Sequence, residues 1–491
     1  MKRLILVCVM ILCLLPVSGW TEEAASALYP IREKGLWGYM NRTGEVMIEP
    51  QWLFAETFSD GWAIVESDNG SGLIDTSGIY AIQPSDCIRI EEYAHAYTVY
   101  DYELEGYGFF DKTSGFYQVP LADYEMIFLW GEDGKGPIAV QNTDCLTGYV
   151  SRTTGETVIP FRYTGESEDA AFNEGYALAA NMTWLDENDV WHEVLPDSEP
   201  IPDNENEILG ESWRYYLIDT TGNEVIFPDG LEPYTGVRQG VLVVHPDPFI
   251  QREMPEDQEE DPKPEAADQY FFDSFGIARP DGTVILEPHL LYYLWEPDGE
   301  GMLCYVGSAL GDCGHMNLNG EVIVSAKYRI ETGGPMPCYT FVNDYAVIID
   351  TTGYETRIVL LAKDGREVVS FPYSDGEHFR KLLNVMPNGL VWSCTSGSDS
   401  IKEYRLFQVS ENELIPLSEE TWEDVDTDGF ADGMQAVCRN TLWGYIDEQA
   451  EWVVPPQYDS ADSFRDGLAL VEKGGKMMYI DPRGGVVWQE K

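Results

Sequence analysis

The chain repeats itself, and this repetition limits its fold more than any other feature of the sequence. Residues 36–50 read LWGYMNRTGEVMIEP, and residues 442–456 read LWGYIDEQAEWVVPP. Near-identical segments at both ends indicate copies of one supersecondary unit, each of which packs on its neighbours. We therefore expect further copies of the unit between these two segments.

Ten copies of a turn pattern are visible along the chain. Each copy has a Gly or aromatic residue, two apolar residues, often an Asp or Asn, and then a Gly six or seven positions after the first. The clear copies are GYMNRTG (38–44), GLIDTSG (72–78), GFFDKTSG (108–115), GYVSRTTG (148–155), YLIDTTG (216–222), GIARPDG (276–282) and GHMNLNG (314–320). The degenerate copies are VLLAKDG (359–365), GYIDEQA (444–450) and MYIDPRG (478–484), and an eleventh covers RLFQVSENELIP (405–416). A second pattern, FxxGxAxV, precedes several copies, as in FSDGWAIV (58–65) and FRDGLALV (464–471).

One unit is expected to form three short antiparallel strands. Its apolar runs are four or five residues long, rich in β-branched and aromatic types, and separated by turn residues. In DTSG, the Asp can accept backbone hydrogen bonds at the start of a turn, and Gly78 supplies the left-handed conformation that a bulged hairpin needs. The Pro that follows most copies, as at Pro50, is expected to mark the end of the third strand. The stretch QYDSADSF (457–464) is expected to be a loop or a single helical turn.

These units predict an all-β protein of tandem three-stranded antiparallel meanders. One meander cannot bury both of its faces, so stacked neighbours have to complete the core. The recurrent Trp37, Trp52, Trp62, Trp443 and Trp452 are expected to pack between units. The spacing fits both a propeller-like ring and an open β-solenoid array.

The pairs Trp37-Gly38 and Trp443-Gly444 resemble the WG-repeat family of bacterial proteins. The resemblance is specific in the first two and last two units and degenerate in the middle, where the Trp is lost. It implies a repeat architecture and no shared set of catalytic residues.

The spacing of the copies divides the chain into segments. WG-type repeats are expected at 35–182, 213–246 and 270–491. Segments 183–212 and 247–269 are rich in Pro and acidic residues and poor in side chains that could be buried. Such a composition predicts an acidic insertion and an acidic disordered loop, respectively.

The N-terminus has the layout of a secretory signal. Two basic residues precede an apolar stretch from Leu4 to Leu15, and Pro and small residues follow. We expect a signal peptide over residues 1–19, with cleavage as late as residue 27 as an alternative. The expected location is extracellular or in the cell envelope, and no later stretch is long and apolar enough to predict a membrane span.

The charge of the chain limits its partners. The sequence has 86 acidic and 30 basic residues and a formal net charge of -56. Such a surface repels phosphate backbones, so nucleic acid is excluded as a main partner. Basic partners and cations are attracted, although acidity also serves to keep an exported protein soluble.

One acidic segment resembles the start of a calcium loop. In EDVDTDGFADGMQ (423–435), Asp424, Asp426 and Asp428 alternate, and Asp432 lies four residues beyond Asp428. Carboxylate oxygens at alternate positions can converge on one calcium ion. Gln435 stands where an EF-hand loop needs a bidentate carboxylate. These four Asp residues are the candidate metal ligands, and calcium is the one candidate cofactor.

No catalytic motif is present. The sequence lacks HExxH, GxSxG, a P-loop and a dinucleotide-binding fingerprint, so no catalytic residue is predicted. We expect a monomeric, exported, non-catalytic scaffold that binds a protein or glycan partner. The alternatives are an extracellular hydrolase on a propeller-like scaffold and a calcium-stabilised structural surface protein.

Overall fold

The regular structure of the protein consists of β-strands. The computed structural model describes residues 27–165, 167, 169–186, 190–196, 208–228, 230–247, 274–291, 293–307, 311–329, 339–373, 379–397 and 402–491. Within these ranges there is no helix, and 41 strands form eleven small sheets. The strands pair in antiparallel fashion. The predicted all-β class is therefore confirmed.

The sheets follow one another along the chain, and we number them as blades 1 to 11. Blades 1 to 3 contain β1 (Leu28–Glu33), β2 (Leu36–Asn41) and β3 (Val46–Trp52); β4 (Phe54–Ala55), β5 (Trp62–Ser67), β6 (Gly70–Asp75) and β7 (Tyr80–Ser85); and β8 (Ile88–Glu92), β9 (Ala96–Asp101), β10 (Gly106–Asp111) and β11 (Tyr117–Leu121). Blades 4 to 6 contain β12 (Tyr124–Phe128), β13 (Ile138–Asn142), β14 (Thr147–Val150) and β15 (Thr157–Tyr163); β16 (Tyr176–Asp186), β17 (Trp191–Glu193) and β18 (Ile208–Asp219); and β19 (Leu231–Pro233), β20 (Leu242–Pro246), β21 (Ser274–Ala278) and β22 (Val284–Leu290).

The remaining blades repeat this plan. Blades 7 to 9 contain β23 (Tyr293–Leu294), β24 (Met302–Val306), β25 (Asp312–Asn317) and β26 (Val322–Arg329); β27 (Tyr345–Asp350), β28 (Arg357–Ala362) and β29 (Glu367–Pro372); and β30 (Phe379–Val385), β31 (Leu390–Gly397), β32 (Lys402–Ser410) and β33 (Glu413–Pro416). Blades 10 and 11 contain β34 (Asp424–Val425), β35 (Met434–Arg439), β36 (Leu442–Asp447) and β37 (Trp452–Tyr458); and β38 (Ser460–Ala461), β39 (Ala469–Lys473), β40 (Lys476–Ile480) and β41 (Val486–Gln489).

The core lies between the blades, and it closes into a ring. Ten hydrophobic clusters each join two consecutive blades, from blades 1 and 2 through to blades 10 and 11. One further cluster joins the ends of the chain, where Tyr29 and Ile31 of blade 1 pack with Tyr479 and Trp488 of blade 11. The protein is thus a closed eleven-bladed β-propeller, which decides between the two arrangements that the spacing allowed.

Polar contacts support this closure. The Tyr479 hydroxyl donates to the Pro30 carbonyl over 3.0 Å, and the Tyr29 hydroxyl donates to the Asp466 carbonyl over 2.8 Å. Arg32 and Glu490 form an ion pair at 2.8 Å. The first and last blades therefore contact each other through the same combination of apolar packing and hydrogen bonds that joins sequential blades.

The predicted turns have the expected geometry. Asp75 Oδ1 accepts hydrogen bonds from the backbone N–H groups of Ser77 at 2.9 Å and Ile79 at 3.0 Å. Gly78 has φ +80°, the left-handed region that favours glycine. The side chain of the Asp and the flexibility of the Gly thus set the hairpin between β6 and β7.

A glycine faces a bulge in the strand beside it. Trp443 pairs with Tyr458 and Tyr445 pairs with Val454, so three residues of β37 stand opposite Gly444 alone. A Cβ atom at Gly444 would lie 2.5 Å from the Val454 carbonyl oxygen. Only glycine allows the bulged strand to approach this closely, which explains the Gly of the Trp-Gly pair.

The structure corrects three details of the predicted unit. Eight of the eleven sheets have four strands, because a short strand such as β4 pairs before the FxxG segment. Pro50 lies inside β3, in the bulge, and does not end the strand. The stretch 457–464 was expected to be a loop or helical turn, but it contains β38 and the end of β37.

The five Trp residues predicted to pack between units do so. Trp37 and Trp52 contact the cluster of blades 1 and 2, and Trp62 contacts that of blades 2 and 3. Trp443 and Trp452 contact the two clusters that involve blade 10. Their recurrence along the sequence therefore reflects the repeated interface.

The predicted insertion and loop are described only in part. The segment 183–212 contributes β17 and the ends of β16 and β18, which lengthen the hairpin of blade 5. Residues 248–269 of the predicted acidic loop, and the predicted signal peptide, lie outside the described residues. The proposed segment boundaries stay predictions.

Candidate functional site

Each four-stranded blade has one end that carries two connections. The connection between the first and second strands and the turn between the third and fourth strands leave the antiparallel sheet on the same side. In blade 2 these connections are residues 56–61 and 76–79, between the strands bounded above. We call this end of the propeller the loop face.

The candidate calcium ligands Asp424, Asp426, Asp428 and Asp432 have separate partners. Asp424 lies in β34, and Asp426 Oδ1 accepts from the Asp428 N–H over 3.1 Å. Asp426 Oδ2 accepts from the Ser463 hydroxyl over 2.5 Å, and Asp432 Oδ2 accepts from the Gly467 N–H over 2.7 Å. Across the described ranges, no group of three or more His, Cys, Asp or Glu side chains is arranged to hold a metal ion. Calcium binding by these residues stays a prediction.

The contact of Asp432 is one case of a recurring link between blades. Glu174 accepts hydrogen bonds from the backbone N–H groups of Gln239 at 2.6 Å and Gly240 at 2.8 Å. Glu300 accepts from the Asp344 N–H over 3.0 Å. In each case, an acidic side chain on the loop face of one blade binds the loop backbone of the next blade. Part of the acidity of the chain therefore stabilises the ring.

A groove on the loop face of blades 2 to 4 has the features of a binding site. Its lining includes Ser59, Glu91, Glu92, Tyr93, Lys112 and Trp130, and its volume is about 840 Å³. We call it the Trp130 groove. The six residues come from the end of β8 and from connections of three consecutive blades, so the groove exists only because those blades stand side by side.

Lys112 forms the buried floor of the Trp130 groove. Its side chain is 3% exposed, and its ammonium group lies 2.5 Å from Glu92 Oε1 and 3.1 Å from Ser59 Oγ. The same nitrogen donates to the Ala94 carbonyl over 3.4 Å and lies 4.9 Å from the centre of the Tyr97 ring. Acceptors of blades 2 and 3 thus fix this cation in place.

Trp130 stands at the rim of the groove, exposed to solvent. Its relative exposure is 80%, whereas the five Trp residues at repeat positions pack between blades. It lies in the connection between β12 and β13, which reads LWGEDGKGP over residues 129–137. This segment lacks the FxxG pattern seen in blades 2, 5, 10 and 11. Blade 7 carries a Trp at the same place, Trp295, but that ring packs against the cluster of blades 7 and 8, so its exposure distinguishes Trp130.

A buried charge cluster lies directly behind this connection. Arg152 donates to Asp111 Oδ2 over 2.6 Å, to the Gly136 carbonyl over 3.0 Å, and to Glu132 Oε2. Asp111 precedes Lys112 in the chain and Glu132 follows Gly131. One guanidinium therefore holds both the turn that carries Lys112 and the connection that carries Trp130.

In this cluster, the Arg152 guanidinium faces two carboxylates, those of Asp111 and Glu132. The side chain of Glu132 is 4% exposed, and its Oε1 atom is buried without a hydrogen-bond partner among the described residues. Burial raises the pKa of Glu132, and the Arg152 guanidinium offsets this only in part. Because Glu132 is screened from solvent, it supports the loop and does not face a ligand.

A second groove, of about 620 Å³, lies between blades 4 and 5. Arg162, Asn181, Glu193 and Tyr216 are among its lining residues. Glu193 Oε1 already accepts from the Tyr216 hydroxyl at 2.5 Å and from Asn181 Nδ2 at 2.6 Å. The lining therefore serves mainly to fix the extended hairpin of blade 5, and it presents no exposed aromatic ring of the kind found at Trp130.

Sequence reasoning did not identify any residue of the Trp130 groove. Lys112 lies in a turn that looks like an ordinary repeat turn, Glu92 is the last residue of β8, and Arg152 looks like a turn residue of GYVSRTTG. The connection of blade 4 lacks the FxxG pattern, but blade 7 has a similar segment, LWEPDGEG at 294–301, so the sequence offered little signal for this site.

The described residues contain no helix that is long and apolar enough to cross a membrane.

Comparisons with known proteins identify the repeat. Residues 37–70 and 443–476 match the family of the WG containing repeat, which confirms the resemblance seen in the two Trp-Gly pairs. No curated protein gives a significant match.

Solved structures match the chain with low sequence identity and low TM-scores. BamB from Moraxella catarrhalis is 14% identical with a TM-score of 0.27, covering 72% of this chain and 95% of that chain. A eukaryotic initiation factor is 9% identical with a TM-score of 0.37, covering 94% and 95%. The computationally designed protein Ika8 is 11% identical with a TM-score of 0.27, covering 72% and 92%. These similarities carry no information on function.

Proposed function

We propose that this WG-repeat β-propeller is a non-catalytic binding protein that holds a protein or glycan partner in the Trp130 groove. The observation that carries the proposal is Trp130 itself, a large aromatic ring that is 80% exposed at the rim of a groove of about 840 Å³. Exposed Trp residues beside a concave surface are the usual anchors of binding interfaces.

The contacts that fix the connection carrying Trp130 indicate that the exposed ring serves binding. The connection that carries the ring is fixed by Arg152 through Glu132 and the Gly136 carbonyl. A rigid loop with an exposed ring loses little conformational entropy when a partner covers the ring. The loop is therefore prepared to bind before the partner arrives.

The proposal is tested by capture of partners on the exported chain. Trp130→Ala is compared with wild type and with Tyr354→Ala, a matched control that removes a fully exposed aromatic ring far along the chain in blade 8. Pull-down from the native environment and a glycan array identify partners. We expect Trp130→Ala to weaken binding by about 2 kcal/mol, roughly thirtyfold in Kd, while Tyr354→Ala has no effect. If no partner depends on Trp130, the proposal fails.

Two other functions are the alternatives to this proposal. An extracellular hydrolase would need an ionisable group that reaches a substrate, and Glu132, a carboxylate of raised pKa beside the groove, is 4% exposed. A calcium-stabilised surface protein would need the four Asp residues of 424–432 to converge, whereas Asp426 and Asp432 bind Ser463 and Gly467. The binding function is therefore the one we favour.

We also propose that the protein acts outside the cytoplasm. The support is the sequence of residues 1–19, with two basic residues followed by an apolar stretch. Expression of the full chain in bacteria, followed by N-terminal sequencing of the protein in the culture medium and envelope fractions, tests export. A full-length chain confined to the cytoplasm would contradict it.

A further inference from the structure

We infer that the partner places a cationic side chain, Lys or Arg from a basic segment of a protein, in the Trp130 groove. This inference rests on the proposed function, because it names the chemistry of the partner at the same site. It is argued from the hydrogen-bonding capacity of the groove, its aromatic rings and its charge.

The charged groups of the groove leave hydrogen-bond acceptors free and no N–H donor of a cation. The Lys112 ammonium has three N–H groups, and Glu92, Ser59 and the Ala94 carbonyl accept from it. In contrast, Glu91 and Glu92 each use one carboxylate oxygen, for Arg89 and Lys112, respectively. Among the described residues their second oxygens accept no hydrogen bond. The Trp130 indole N–H and the Tyr93 and Ser59 hydroxyls can still donate. A ligand that uses the carboxylate oxygens has to donate, which disfavours phosphate, sulfate and acidic side chains there.

The aromatic rings suit a cation as well. An ammonium or guanidinium group binds the face of a Trp or Tyr ring when it lies within about 6 Å of the ring centre. The groove already contains one such contact, between the Lys112 nitrogen and Tyr97, at 4.9 Å. Among the described residues, no cation lies over the ring of Trp130, which is 80% exposed, or over that of Tyr93. A cation of the partner, placed between these two rings and the carboxylates of Glu91 and Glu92, would be bound in the way that Tyr97 and Glu92 bind Lys112.

The local charge favours a cation over a neutral sugar. At the floor of the groove, Glu92 and Asp60 both face the single Lys112 ammonium. Asp60, 67% exposed, lies 3.9 Å from the Lys112 nitrogen. The chain as a whole carries a net charge of -56, which accelerates the approach of a basic partner and disfavours an acidic one. Sugar hydroxyls could use the same oxygens, but they gain nothing from this charge.

The test uses a short fluorescent peptide of alternating Gly with Arg and Lys, and an uncharged copy in which citrulline and acetyl-lysine replace Arg and Lys. Fluorescence anisotropy gives Kd values for wild type, Trp130→Ala, Glu92→Gln and the control Tyr354→Ala. We expect the basic peptide to bind wild type and Tyr354→Ala equally. The uncharged peptide, and either groove variant with the basic peptide, should bind roughly tenfold more weakly. Salt at about 0.5 M should weaken the basic peptide further.

The remaining outcomes separate the inference from the proposed function. If the charged and uncharged peptides bind equally and both depend on Trp130, the groove is a binding site and the cationic inference is wrong. Equal binding of the basic peptide by wild type and both groove variants would indicate diffuse attraction to the acidic surface and overturn the inference. If neither peptide binds while a glycan or captured protein depends on Trp130, the inference alone is wrong. If nothing depends on Trp130, the proposed function fails as well.

Discussion

Closure of the ring predicts a specific cost for the substitution Ile31→Ala. Ile31 lies in β1, is 0% exposed, and belongs to the cluster that joins blades 1 and 11. The substitution removes three carbon atoms, worth about 0.8 kcal/mol each in transfer free energy, so about 2.4 kcal/mol. The cavity left between two rigid blades adds to this, and buried Ile-to-Ala substitutions cost about 2–5 kcal/mol.

The matched control is Ile74→Ala, also at a residue that is 0% exposed, in the cluster that joins blades 1 and 2. Urea unfolding followed by Trp fluorescence gives the free energy of unfolding of each variant. In a closed ring both variants lose about 2–5 kcal/mol. In an open array Ile31 would lie on a solvent-facing end. A loss below about 1 kcal/mol for Ile31→Ala, together with a full loss for Ile74→Ala, would refute ring closure.

Three further predictions concern single positions. Gly444→Ala places a Cβ atom 2.5 Å from the Val454 carbonyl oxygen. In urea titrations, this substitution should lower the free energy of unfolding by about 1–3 kcal/mol. The control Gly299→Ala, which has open space around it, should change the free energy of unfolding little. Burial raises the pKa of Glu132, so wild type should gain stability relative to Glu132→Gln as the pH falls from neutral through that pKa. The gain should be complete below 4.5, the pKa of Glu in the unfolded chain. A difference in Tm between the two proteins that does not change with pH would contradict this prediction. If calcium binds at the predicted ligands, calorimetry should show a saturable heat that Asp426→Ala and Asp428→Ala abolish, and silence of wild type and variants alike would remove the site.

The parts of the fold that could be predicted depend on contacts close in sequence. The Asp75 turn was predictable because its hydrogen bonds reach only two and four residues along the chain. The burial of Trp52 and its counterparts was predictable because one interface recurs in every unit. The bulge opposite Gly444 was missed, since a Pro near a strand end and a Pro inside a bulged strand look the same until the neighbouring strand is in place.

The candidate site could not be predicted from the pattern. Trp130, Lys112 and Ser59 lie in three different blades, and no local motif connects them. The role of Arg152 depends on Asp111, 41 residues away, and on Glu132, 20 residues away. The calcium prediction followed a local motif, and the bond of Asp432 to the loop of the next blade is a contact that this motif does not show.

The sequence by itself determined the repeating unit, because strand period and turn chemistry are local requirements that recur along the chain. Only the tertiary structure decided that eleven blades close on themselves, with Ile31 against Trp488, and that the connections of blades 2 to 4 form a groove. The physical reason is that closure and groove shape depend on the small angle between successive blades. Side-chain packing at all the interfaces sets this angle together, and no single repeat encodes it.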